Sequence, residues 1–169
     1  MKNRLSDLAS MAEIVGAFAV VISLVYVGIQ VNDSAGAVRS AAANDAAVAT
    51  QNWYLQIGSN EQTSNLWWEA ITSDVALSNE KEFQFLMMTH AAFLAFQNSF
   101  LLAKEGTIDP ELRESITSAI LGVKDLPGMI RYWRQRKSYL HPDFVVYVDE
   151  LFTRDTIDTV DIYRTPSSD

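Results

Sequence analysis

Few side chains in this chain of 169 residues are equipped for chemistry: it holds two histidines and no cysteine. Without Cys there is no disulfide, no thiolate zinc site and no sulfur nucleophile. His90 sits in an apolar stretch, with Leu86, Met87, Phe93 and Leu94 at helical spacing. A metal site on a helix needs a second ligand three or four residues on, and those positions hold Phe93 and Leu94, so His90 is expected to be a satisfied core histidine. His141 precedes Pro142 and reads as a helix start rather than a base. Asp149 and Glu150 are neighbours whose side chains diverge on a helix, which makes them a solvated face before a cation site. No Walker loop, G-x-G-x-x-G, H-E-x-x-H, EF-hand or G-x-S-x-G pattern occurs, so no cofactor or metal is implied and catalysis is not the expected role.

Arg131, Arg134, Arg136 and Lys137, with Tyr132 and Trp133 among them, form the basic cluster of the chain. Two arrangements suit it. The four cations meet anionic lipid headgroups while the aromatic pair lies at the interface, or they pair internally with the acidic residues from Asp143 onward, which is the expected arrangement. Nucleic acid is not an expected partner, because 13 Lys plus Arg against 21 Asp plus Glu give a net charge of -8.

The elements that must position these residues follow from hydropathy. The composition, 49% hydrophobic and 20% charged, suits one globular domain with a real core. Ile14 to Val31 is an 18-residue run without a charge. At the helical rise it is ~27 Å long, which spans a bilayer core. A cleaved signal peptide would use Lys2 and Arg4 with Ala35-Gly36-Ala37 as its processing site, but Glu13 and the length of the run favour a retained anchor. Along that helix Ala9, Ala12, Gly16, Ala19, Ser23, Tyr26 and Gln30 share one stripe. Small residues admit close approach of a second backbone, and Ser23 and Gln30 offer hydrogen bonds between helices. Lys2 and Arg4 precede the span and Arg39 follows it, a margin too narrow to fix the side of the body.

The Ala-rich stretch from Asn32 to Ile57 lacks proline and should prolong the span as one rod. Its seam of Val31, Ala35, Val38, Ala42, Ala46, Ala49 and Trp53 needs a partner, by default the rest of the chain. Thus residues 1–57 are anchor and connecting helix, 58–154 a bundle of about five helices, and 155–169 an acidic tail. Within the bundle, Asn60–Ser73 is a short helix with Trp67 and Trp68. Asn79 as N-cap and Glu82 as its capping-box partner open a helix that closes at Gly106. Its charge-free run Phe83–Ala103 is long enough for a second span, but Gln84, Thr89, His90, Gln97, Asn98 and Ser99 favour a central bundle helix with those residues at its margins. Asp109-Pro110 opens a helix to about Val123, Asp125–Gly128 is a turn, and helices over Pro127–Tyr139 and from Pro142 to about Phe152 complete an all-α fold.

The string Ala12-Glu13-Ile14-Val15-Gly16-Ala17, then Val20 to Val27, Gln30, Asn32 and Arg39, resembles the amino-terminal helix of an uncharacterised bacterial family of small single-span membrane proteins. Phe96-Gln97-Asn98, Glu105-Gly106, Asp109-Pro110-Glu111 and the set Trp133, Arg136, Phe144, Tyr147, Val148 and Asp149 extend the resemblance over most of the chain. It implies one span in the inner (cytoplasmic) membrane and a helical remainder, with no activity attached. The family tends to carry several basic residues directly after the span, implying a cytoplasmic body, whereas Asn32-Asp33-Ser34 supplies none here.

These readings lead to a membrane-anchored protein that acts by association, with itself or as an accessory or scaffold subunit of a membrane assembly, through the stripe Ala12, Gly16, Ala19, Ser23, Tyr26 and Gln30. The rival is a tethered enzyme or small-ligand binder with a pocket near His90, Trp67 and Trp68. A third arrangement, a soluble bundle with its first helix buried, is distinguished by release on alkaline washing.

Overall fold

The computed structural model describes residues 2–75 and 77–155, with side chains from Met11 onward. Lys2, Arg4 and Ala9, as side chains, and the tail beyond Asp155 lie outside the described residues. The fold is all-helical, with no strand among the described residues. Two compact units divide at Ala41 and Ala42, a boundary inside the first helix rather than at its end.

Helix α1 (Lys2–Gly58) runs 57 residues without a break, as the absence of proline and the Ala content require. From Met11 to Ala41 its large apolar side chains face outward all round: Phe18 is 65% exposed, Leu24 67% and Val27 51%. None of the most apolar 18-residue window is buried. A helix bonds its own backbone groups, so this segment has the length and composition of a membrane span.

The second unit, from Ala42, contains the end of α1 and five shorter helices among the described residues: α2 (Glu61–Thr72), α3 (Asn79–Lys104), α4 (Pro110–Thr117), α5 (Pro127–Arg136) and α6 (Pro142–Thr153). Single 3-10 turns follow α4 at Ser118–Ile120 and α5 at Lys137–Tyr139. Here the seam of α1 is covered by the chain itself. Ala46 is fully buried, and the half-buried Trp53 donates its indole N–H to the Met88 carbonyl at 2.7 Å. Val31 and Val38 of the same seam are exposed.

Helix α3 is the central element, packed against α2, α4, α5 and α6. Phe85, Leu86, Thr89, Ala92, Phe93, Phe96 and Ser99 are its buried residues, a stripe at spacings of three and four. The expected marginal placement of its polar residues holds for the exposed Gln84 and Asn98 but not for Thr89 and Ser99, which are buried. Ser99 is accommodated because its hydroxyl donates back to the Phe96 carbonyl at 2.8 Å.

The caps explain where the helices start and stop. Ser78, not Asn79, caps α3, its hydroxyl accepting from the Lys81 N–H. That shift puts Lys81 rather than Glu82 at the capping-box position, which frees Glu82 to pair with Arg131. Gly106 closes α3 as expected: at φ 72° its N–H reaches the Ala103 carbonyl and that of Thr107 the Leu102 carbonyl, a Schellman pair. Asp109 accepts from the Glu111 N–H at 2.6 Å, with Pro110 in the first turn of α4. Helix α4 ends at Thr117, short of Val123, where the Thr117 hydroxyl meets both the Arg113 carbonyl at 2.9 Å and the Tyr147 hydroxyl at 2.7 Å. The tighter turn after it lets Ile120, Leu121 and Val123 all be buried, which one face of a straight helix would not. Gly128, expected in a turn, belongs to the first turn of α5, and His141 caps α6 by accepting from the Asp143 N–H.

Candidate functional site

The stripe expected to meet a second helix lies in the first unit. Ala12, Gly16, Ala19, Ser23, Tyr26 and Gln30 are all exposed, and a Cβ added at Gly16 would meet nothing within 4 Å. Ser23 already donates to the Ala19 carbonyl at 2.9 Å. Its proton is thereby used, so it can accept from another helix but is not an unsatisfied donor.

The basic cluster is dispersed by the helix that carries it. Tyr132 and Trp133 are buried, correcting the interfacial placement that headgroup contact required. Trp133 donates its indole N–H to Asp149 at 2.6 Å, and Lys137 reaches the other oxygen of that carboxylate at 3.3 Å. Arg136 lies over the Tyr139 ring and Arg134 is exposed. Arg131 finds its partners on α2 and α3 instead. It donates to the Ser73 carbonyl at 2.5 Å and the Ala70 carbonyl at 2.9 Å, and approaches Glu82 at 3.5 Å. Since α2 has no basic residue in its last turn, Arg131 supplies the cation there and bonds two of its terminal carbonyls. Internal pairing therefore prevails for Lys137 and Arg131, but the partner of Arg131 is Glu82 rather than an acid beyond Asp143.

His90 is half-buried on α3, with Nδ1 3.0 Å from the Tyr132 hydroxyl and its ring edge-on to Tyr139. Burial, reinforced by the Arg136 charge, holds its pKa below the ordinary value. Burial also pushes the Tyr132 phenol up, so that group stays protonated and able to donate. Among the described residues no group of three or more His, Asp or Glu is placed to hold a metal ion.

The concave feature nearest the chemistry expected of a pocket lies elsewhere. A partly open cavity of about 180 Å³ is lined by Trp53, Tyr54, Ile57, Gly58, Trp67, Thr89, Ala92, Phe93, Phe96, Ala119, Ile120, Val123 and Met129. Trp67 borders it as expected, but neither His90 nor Trp68 does. His90 is the residue after Thr89, and one step along a helix turns a side chain by about 100°. Thr89 is 1% exposed, and its hydroxyl has no hydrogen-bond partner among the described residues. The signal for this site was present in part, as a lone hydroxyl within the apolar run of α3. Its walls come from four segments distant in sequence, which no spacing rule connects.

Comparison with family models, with curated proteins and with solved structures finds no match to this chain.

Proposed function

We propose that the chain is a single-pass protein of the bacterial cytoplasmic membrane that works by association, as a homo-oligomer or as an accessory subunit of a larger membrane assembly. The observation that carries this reading is the apolar helix from Ile14 to Val31, whose side chains are exposed on every face. In water such a surface would be covered or would aggregate; in lipid it is solvated. The stripe of small residues on it offers a face for a second helix, and the likeness to small single-span membrane proteins points the same way.

The test is purification of the full-length protein from membranes in mild detergent, with mass determination and identification of retained subunits. Either a homo-oligomer or a stoichiometric foreign subunit is expected. Gly16→Leu should lower the mass of that assembly by blocking close approach. An unchanged mass would sink the stripe, and release of the wild-type protein by alkaline washing would sink the anchor.

A further inference from the structure

We infer that the cavity between α1, α2, α3, the turn after α4 and the start of α5 is a binding site for a small ring compound bearing one hydrogen-bonding group. Its size sets the first limit. At about 180 Å³ it is close to the roughly 150 Å³ apolar cavities that take up benzene, and too small for a nucleotide or a drug-sized cofactor. Its walls set the second. Trp53 and Trp67 stand edge to face with centroids 5.7 Å apart, and Phe93 and Phe96 are likewise edge to face, so an aromatic guest meets the ring edges and faces it prefers.

Thr89 sets the third limit. A threonine in a helix ordinarily returns its hydroxyl to the carbonyl three or four residues back, as Thr50, Thr72 and Thr117 do here. Thr89 forms no such bond, although it is 1% exposed and borders the cavity. A buried hydroxyl without a partner costs stability, and a guest with one donor or acceptor removes that cost. A hydroxyl both donates and accepts, so phenols and ring amines fit equally, while a charged guest would find no counter-ion in the lining.

The probe is 4-fluorophenol, with fluorobenzene beside it, followed by fluorine NMR on the full-length protein in lipid nanodiscs. Signal from probe dissolved in lipid is common to every variant, so a protein-bound resonance stands apart from it. The wild type should give a bound resonance for both probes. Thr89→Val keeps the shape and removes the hydroxyl, and should weaken 4-fluorophenol by about fivefold while leaving fluorobenzene unchanged. Ala119→Leu should abolish both resonances by filling the space; Ala92→Val does the same on the opposite wall if that variant fails to fold. The site is overturned if the wild type gives no bound resonance or if the resonance survives a filled cavity. It is overturned as a polar-ring site if Thr89→Val binds both probes as the wild type does.

Discussion

The two units of this chain use the same residue types in opposite ways. From Met11 to Ala41 the large apolar side chains of α1 stand outward, Phe18 and Tyr26 among them. From Ala42 onward Phe85, Phe93, Tyr132 and Phe144 are at most 1% exposed. Such a contrast is not a difference in hydrophobicity, because both segments are rich in apolar residues. It is a difference in what must cover them. The body supplies its own cover through several short helices packed around α3, whereas the apolar side chains of the first unit from Met11 onward have none among the described residues and meet the length and composition of a membrane span. The glycines repeat the lesson. Gly16 has open space around it, while a Cβ on Gly128 would run into the Ala70 carbonyl oxygen and lie 2.6 Å from the Ile71 Cα.

The largest expected effect therefore comes from a methyl group at Gly128. Gly→Ala inside a helix ordinarily stabilises by a fraction of a kcal/mol, through propensity and the unfolded chain. At Gly128 the added methyl meets backbone of α2, which cannot rotate away, so the sign should reverse and the loss should reach about 3 kcal/mol, the upper end of overpacking costs. Gly16→Ala should leave the denaturation midpoint of the body unchanged. Equal behaviour of the two variants in thermal denaturation would break the comparison, since it would mean that α2 and α5 do not meet as closely as described.

Next in size is Arg131. Its side chain is 16% exposed and serves Ala70, Ser73 and Glu82 together. Replacing it by Met should cost about 2 kcal/mol, the usual loss for charge-assisted bonds to buried acceptors. Arg131→Lys should recover only part, because a point charge cannot fork to two carbonyls. Arg134→Met, by contrast, removes an exposed cation and should leave stability within about 0.5 kcal/mol. Binding of the variants to anionic vesicles sharpens the result: Arg131→Met should change stability and not lipid affinity, whereas a headgroup contact would show the reverse.

How much of this was legible beforehand divides along the same line. The long apolar first helix and its continuation as a rod, the Pro-started helices and the glycine stop at Gly106 are local, written within a few residues of where they act. The central role of α3 could be read because its polar residues are too many for lipid. What failed was one residue wide or long in range. Ser78 and Asn79 are both competent caps, and the register chosen by packing decided between them. Arg131 looks like its basic neighbours in sequence, yet one step around α5 sends it to the end of α2. The cavity beside Thr89 depends on Trp53, Trp67 and Ala119 arriving together from three elements, and periodicity within any one of them is silent about that.

The smallest effect expected is a pH dependence confined to the body. His90 faces the Tyr132 hydroxyl and the Tyr139 ring, with the Arg136 charge nearby, and its folded pKa lies below the ordinary 6.5 because burial and that charge disfavour the imidazolium. Between the folded value and 6.5 the unfolded chain binds the proton that the folded chain refuses, so stability must rise with pH across that interval. The contribution is whole above 6.5 and declines as the solution is acidified. Glu114, held down by its hydrogen bond from Arg154, and Asp143, held down by that from Lys104, act in a lower window. Their contributions are present above the ordinary values of 4.5 and 3.8 and are lost as pH falls through the depressed ones. Thermal midpoints compared between pH 7 and pH 5 isolate the histidine from these carboxylates. The wild type should lose stability over that range, and His90→Gln, which can still bond Tyr132 but cannot take up the proton, should lose less. Parallel slopes for the two proteins would mean that His90 titrates as freely in the fold as outside it, and that the burial separating this region from the exposed first unit does not extend to its imidazole.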